Sequence, residues 1–307
     1  MNVEPVHMKL LHIFRRAEAV RRRVGFAQAI SRGVRVVHDR LHTVRRYSPG
    51  WSSVYRHPFR AFDFIFFDPE IENFTYDLAN LDELAAFMGS VLGIGAKSAG
   101  AFIQELEQDS PFRAELNNIL QTRLYKKRTA LYGRRAGWYC AVRALRPQVV
   151  IEAGVHDGLG SSVLLRALER NRTEGADGRL IGIDLVPSSG WLIPRRLCDR
   201  FSLVVKDSAS ALPRIAEQER VDLFIHDDAH DPDHEFGEYR AVHKGLSAGG
   251  VLLSDNAHAT DALKRFSESH GRPFHFWREK PKDHVYPGAG IGLSLPPGGD
   301  HREVPDR

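Results

Sequence analysis

The stretch Val149-Val150-Ile151-Glu152-Ala153-Gly154-Val155-His156-Asp157-Gly158-Leu159-Gly160 decides how this chain folds. Apolar and small residues around one carboxylate run into a glycine-rich turn. A helical run, Ser161 to Leu168, follows directly. That order is a buried parallel strand feeding a tight turn and a helix N-terminus. Glycines let backbone approach a ligand closely, and the helix start offers free N–H groups, so a nucleotide-like ligand is the expected occupant. A dinucleotide fingerprint would need glycine at 156, where His156 stands. The spacing is instead Glu152-x-Gly154-x-x-x-Gly158-x-Gly160. The bland alternative is a glycine turn that merely joins a strand to a helix.

Downstream the pattern alternates without a break. Strands are expected at 148–153, 179–185, 201–207, 222–227 and 249–255. Helices are expected between them at 161–170, 192–200, 208–217, 234–245 and 260–270, and two further strands at 273–278 and 291–295 close the series. Repeated strand–helix units imply an α/β fold, a doubly wound and mostly parallel seven-stranded sheet covered on both faces. Ligands of such sheets bind beyond the carboxyl ends of the strands.

The strand ends carry the chemistry. Asp184 ends the second strand, where a carboxylate can accept from both ribose hydroxyls; the alternative is a helix cap. Asp207-Ser208 ends the third, and both residue types also cap helices. The fourth and fifth ends read Phe224-Ile225-His226-Asp227-Asp228-Ala229-His230 and Ser254-Asp255-Asn256. Asp227, Asp255 and Asn256 offer three hard oxygen ligands, which suit Mg²⁺. Neighbouring His226, Asp228, Asp231, Asp233, His234 and His258 keep other ligand choices open. Asp228 replaces Asp227 if the strand runs one residue longer, and a two-histidine, one-carboxylate site would hold Zn²⁺ or Fe²⁺.

Glu152 with its glycines, Asp184, Asp227-x-x-His230, Gly249-Gly250 and Asp255-Asn256 together resemble the class I S-adenosylmethionine-dependent methyltransferases. Within them the match is to the metal-dependent O-methyltransferases of the catechol and caffeoyl-CoA type. It is closer still to the bacterial branch that methylates macrolide sugars, where histidine replaces a lysine. The resemblance covers about residues 130–296. It implies S-adenosylmethionine as cofactor, with Glu152 serving the methionine ammonium and Gly154, Gly158 and Gly160 passing under the ligand. Asp184 would serve the ribose, and Asp207 and Ser208 would lie beside the adenine. Asp227, Asp255 and Asn256 would hold Mg²⁺, and His230 would be the general base. An imidazole titrating near neutrality suits proton removal from an acceptor hydroxyl. The fourth strand end lacks the Asn-Pro-Pro signature of methyltransferases acting on DNA bases, so no DNA substrate is expected.

Residues 1–60 hold 13 Lys/Arg against 3 Asp/Glu, a balance of +10 that leaves −6 on the remaining 247. The basic character therefore belongs to the N-terminal segment. There, residues 8–46 read as one or two basic helices facing either their own domain or a dimer mate, or else an anionic membrane surface, nucleic acid such as RNA, or an acidic partner. Residues 47–59 read as loop and 62–67 as an aromatic run. Asn80-Leu81-Asp82-Glu83 resembles a capping box. Residues 1–130 form the expected helical cap or oligomerisation region, 131–297 the methyltransferase domain and 298–307 a disordered tail. Two cysteines, Cys140 and Cys198, give no disulfide framework, which fits a cytoplasmic protein. The function expected from the whole is Mg²⁺-dependent O-methylation of a small-molecule hydroxyl, on a sugar or polyol of a secondary metabolite or glycolipid, by a homo-oligomer. Rival readings are a nitrogen or RNA acceptor, or a nucleotide-binding module without turnover.

Overall fold

The computed structural model describes residues 34–38, 40–41, 58–66, 76–123, 129–229, 231–255, 257–284 and 286–298. The chain divides into two compact units, residues 1–72 with 281–287, and residues 73–280 with 288–307. In the first unit, helix α1 spans Pro58–Phe66. Pro58 opens it, a position where a missing N–H costs nothing, and residues 62–66 of the aromatic run read from the sequence are helical. Within this unit Arg40 donates to the Ile65 carbonyl at 3.0 Å.

The second unit holds the sheet. Its first helices are α2 (Leu81–Val91), α3 (Gly95–Glu107) and α4 (Ser110–Arg123), then α5 (Arg135–Leu145). The alternation follows as β1 (Val149–Ala153), α6 (Leu159–Thr173), β2 (Arg179–Asp184), β3 (Phe201–Val205), α7 (Ser208–Gln218), β4 (Val221–His226), α8 (Pro232–His243), β5 (Leu246–Ser254), α9 (Ala262–Ser269), β6 (Phe274–Arg278) and β7 (Gly290–Ser294). Between β2 and β3 the expected helix is only a 3₁₀ turn at Arg195–Arg200. Pro194 at its start and the strand beginning at Phe201 leave no room for a longer one.

The strand order is β3-β2-β1-β4-β5-β7-β6. All pairs are parallel except those made by β7, which runs antiparallel to β5 and to β6. The seven-stranded, mostly parallel sheet read from the sequence is therefore the one observed. All five residues of β1 are buried, as a central strand covered on both faces must be. Val150 and Ile151 are wholly inaccessible, and each such burial stabilises by about 1.5–3 kcal/mol. Ile151, Ile183, Phe224 and Leu252 share one core with Leu212 of α7, Tyr239 of α8 and Phe266 of α9. Helices α5 and α6 pack on each other, and α5 presents Trp138 to Gly160 at the start of α6.

Asn80 does not form the expected capping box, since its side chain accepts no bond from the first turn of α2. Its amide donates to Glu83 and to the Arg278 carbonyl, each at 3.1 Å, and its oxygen accepts from the Lys280 N–H at 2.9 Å. The residue ties α2 to the end of β6. Register places Ala153 of β1 beside His226 of β4, and His226 beside Ser254 of β5. The order reverses between β1 and β4, so the switch point lies where β1, β2, β4 and β5 all end. Among the described residues no helix is long and apolar enough to cross a membrane.

Candidate functional site

The glycine turn is shaped by protein neighbours. Gly154 and Gly158 have φ of 90° and 93°, a region open mainly to glycine. A Cβ on Gly154 would strike the Asp227 carbonyl, one on Gly158 would strike Gly190, and one on Gly160 would meet Trp138 and the Glu152 carboxylate. His156, between them, also has positive φ at 50°. The N–H groups of Val155 and His156 are held at 3.1 and 2.8 Å by Asp184 Oδ2. Val186 N–H binds its other oxygen at 2.8 Å. Burial alone would raise Asp184; these amides and the Ser189 hydroxyl bring it below the usual carboxylate range. Asp184 thus binds the turn to the end of β2 and stays ionised and partly exposed at the edge.

Glu152 is 1% exposed and accepts from the Ser161 hydroxyl on α6. Burial pushes its carboxyl up to about 8, opposed by Ser161 and Arg135. A buried carboxyl with this shift has use for a cationic partner. Asp207 caps α7, accepting from Ser210 N–H at 3.0 Å and Ser210 Oγ at 2.9 Å. Ser208 is buried and turned away from it, donating to Asp228 at 3.0 Å and meeting His234 Nε2 at 3.1 Å.

At the ends of β4 and β5, Asp227 and Asp255 are neighbours. Backbone bonds set their heights, Asp227 N–H to Ala153 O at 2.8 Å and Asp255 N–H to His226 O at 2.9 Å. Burial and the Asp255 charge push Asp227 well above the usual range. Asp255, which burial would also raise, is pulled down by Arg134 and Arg135. The two carboxyls interact directly, and their shifts run in opposite directions. Arg134 takes Asp255 Oδ2 through Nε, at 2.8 Å, and through its terminal nitrogen. It also reaches Glu279 at 3.2 Å and the Tyr76 hydroxyl at 3.0 Å. Arg135 lies 3.7 Å from Asp227. Asp255 Oδ1 is buried and finds no donor other than the neighbouring Asp227 carboxyl. Two converging carboxylates, one with an oxygen of this kind, fit a hard cation that brings most of its own water ligands. His230 and Asn256, the expected base and third ligand, lie outside the described residues.

Asp228 faces another way. Its Oδ2 accepts from Ser208 and lies 3.5 Å from His234 Nε2. His234 is in turn 3.4 Å from Glu238 Oε1, one helical turn along α8. Glu238 Oε2 meets the buried His226 Nδ1 at 2.5 Å. Glu238 and Asp228 raise His234 to about 9, and Glu238, despite burial, is lowered to about 2 by His226 and His234. Asp231 caps α8 through His234 N–H at 2.9 Å. Tyr239 donates to buried Glu235 at 2.6 Å.

Sequence reasoning missed Arg134, Arg135, Glu279 and Tyr76. Arg134 stands just before α5 and Arg135 opens it, a helix that carries no motif, and Arg134 lies 121 residues from Asp255.

Residues 151–257, from β1 to just beyond β5, match the family model described as a methyltransferase domain. Among similar solved structures are an O-methyltransferase, TomG from Streptomyces achromogenes, involved in tomaymycin synthesis and solved with SAM, and the cofactor-bound Rv0187 from MTB. TomG is 17% identical with a TM-score of 0.47, over 62% of this chain and 91% of its own. Rv0187 is 19% identical with a TM-score of 0.46, over 61% and 90%. An O-methyltransferase from Bacillus cereus, in complex with SAH, is 14% identical with a TM-score of 0.45, over 59% and 90%. A comparison with curated proteins found no match. The methyltransferase class implied by the strand-end motifs is borne out by the family match over residues 151–257.

Proposed function

We propose that this chain is an S-adenosylmethionine-dependent O-methyltransferase that works on a small-molecule hydroxyl with a divalent cation at Asp227 and Asp255. The observation that supports it most is the convergence of those two carboxylates where β4 and β5 end. They lie beside the turn that Asp184 and Glu152 brace. Glu152 receives the cationic methionine end, and Asp184 the ribose hydroxyls. Asp207 and Ser208 stand at the end of β3, on the side given to the adenine. Mg²⁺, held by Asp227, Asp255 and Asn256, would supply Lewis-acid polarisation of the acceptor oxygen. His230, three residues past Asp227, takes the hydroxyl proton, leaving an oxygen nucleophile for in-line attack on the methyl carbon. Arg134 and Arg135 keep Asp255 ionised and hold the pair in place.

The acceptor class is a sugar or polyol, by the resemblance to the macrolide-sugar branch. The test is mass spectrometry of candidate sugars and polyols after incubation with S-adenosylmethionine, with and without a chelator. A gain of one methyl on oxygen, lost with chelator and restored by Mg²⁺, is the expected result. Turnover indifferent to chelator would remove the metal from the reading. Methylation of RNA with a steep salt dependence would move the acceptor to the basic N-terminal segment.

A further inference from the structure

Asp228, His234 and Glu238 bring one imidazole nitrogen and two carboxylate oxygens within 4.8 Å of one another. We propose that these three side chains, with the Ser208 hydroxyl beside them, form a second cation site, for a first-row divalent ion of the Zn²⁺, Mn²⁺ or Co²⁺ class, separate from the Asp227–Asp255 pair. His234 and Glu238 stand four residues apart, so they share one face of α8. Asp228 arrives from the loop after β4, and Ser208 from the start of α7.

A separate observation points to a ligand. Glu238 is wholly buried, and its Oε1, which has no partner at good hydrogen-bond geometry, is answered by the long ion pair to His234 Nε2 at 3.4 Å and by the nearby Ser208 hydroxyl. A buried carboxylate oxygen held this loosely is under-satisfied, and a cation placed between it, His234 and Asp228 would satisfy it better. The other oxygen of Glu238 is fixed by His226 Nδ1 at 2.5 Å, and His226 is itself fully buried. A ligating carboxylate oriented in this way by a partner behind it is a common feature of metal sites. The donor mix decides the class of ion: imidazole favours first-row transition metals, whereas Mg²⁺ prefers oxygen and water. Entry is open, since the side chains of His234 and Asp228 retain 23% and 35% exposure. An ion here would tie the start of α7, the loop after β4 and α8 together. That loop also carries Asp227. The proposal assumes nothing about acceptor or methyl transfer, so its failure would leave that reading intact.

The test is Co²⁺ titration of the untagged full-length chain, followed by d–d absorption and by melting temperature. One equivalent should bind saturably, persist in tenfold excess Mg²⁺, and raise the melting temperature with the logarithm of Co²⁺ concentration. His234→Gln and Asp228→Asn should each weaken binding at least about tenfold, while Asp227→Asn keeps the absorption band. Absence of saturable binding overturns the proposal. So does binding that both variants leave unchanged, or binding that Asp227→Asn removes. If either variant fails to fold, pulsed electron paramagnetic resonance of the Mn²⁺-loaded parent must show a coordinated imidazole nitrogen. A spectrum with oxygen ligands alone would overturn the site.

Discussion

Asp227 and Asp228 are adjacent in the chain and belong to different chemistries. Asp227 turns to Asp255 and Arg135, with Arg134 bound behind Asp255. Asp228 turns to Ser208 and His234, with Glu238 and His226 behind them. Just past the end of β4 the chain bends at Asp228, so one residue's step moves a carboxylate from guanidinium neighbours to imidazole neighbours. Guanidinium keeps its charge at every working pH, whereas an imidazole can lose it, and Glu238 and Asp228 hold that of His234 up to about 9. The difference teaches that this run of acidic and histidine residues just past a strand end is two half-sites, and that the turn of the chain after β4 assigns each residue to one of them.

The largest expected effect breaks the pair on the arginine side. Asp227→Ala should abolish Mg²⁺ binding and lower turnover by at least about 10³-fold, the several kcal/mol that polarisation of the acceptor oxygen contributes. Single-turnover methylation measured beside Mg²⁺ calorimetry checks both. If Asp228→Asn proves the more damaging of the two changes, the assignment of the half-sites is inverted. Next in size is His230→Ala, which should keep cofactor and cation and lose roughly 10²–10⁴-fold in rate. The parent's activity should rise with pH and the His230→Ala enzyme should lose that rise, because only the neutral imidazole accepts a proton. A His230→Ala enzyme with the parent's rate at every pH would pass the base role to another group.

Much of this arrangement was legible in the sequence. Strands and helices alternate with a period that needs no long-range knowledge, and the carboxylates at 152, 184, 227 and 255 stand where strands end. What stayed hidden was which groups oppose them. Arg134 meets Asp255 across 121 residues and Glu279 across 145, pairings that no local pattern encodes. His226 reads as one more polar residue at a strand end, and only the fold shows it buried against Glu238. The capping-box reading of Asn80 failed for the same reason: its partners, Arg278 and Lys280, come from β6 and the residues after it.

Those hidden partners give the third prediction. Arg134→Met removes the guanidinium that Asp255 and Glu279 share while retaining much of the side chain's bulk. Leaving two buried carboxylates without it should destabilise the fold by about 3 kcal/mol, read from urea unfolding. The added change Asp255→Asn should recover part of that loss, because one of the stranded charges is gone. A loss under about 1 kcal/mol would mean that the carboxylates are held by something other than Arg134.

The smallest effect sharpens the comparison at a second pair of neighbours. Asp207 and Ser208 repeat, at the end of β3, the divergence seen at 227 and 228. Asp207 bonds back to Ser210 and caps α7, while Ser208 reaches across to Asp228 and His234. The cap alone predicts that Asp207→Ala costs about 1 kcal/mol of stability, and that Asp207→Asn, which caps as well, costs almost none. Chemical unfolding of the two variants without ligand measures this. Calorimetry with S-adenosylmethionine then asks whether the same carboxylate also meets the adenine. A helix cap acts on the folded protein with or without cofactor, so its loss moves stability before it moves affinity. If Asp207→Ala weakens cofactor binding by more than about tenfold at full folding, Asp207 touches the ligand as well as the helix. If stability falls and affinity stays, its work is the cap, and the end of β3 serves the Asp228 half-site through Ser208.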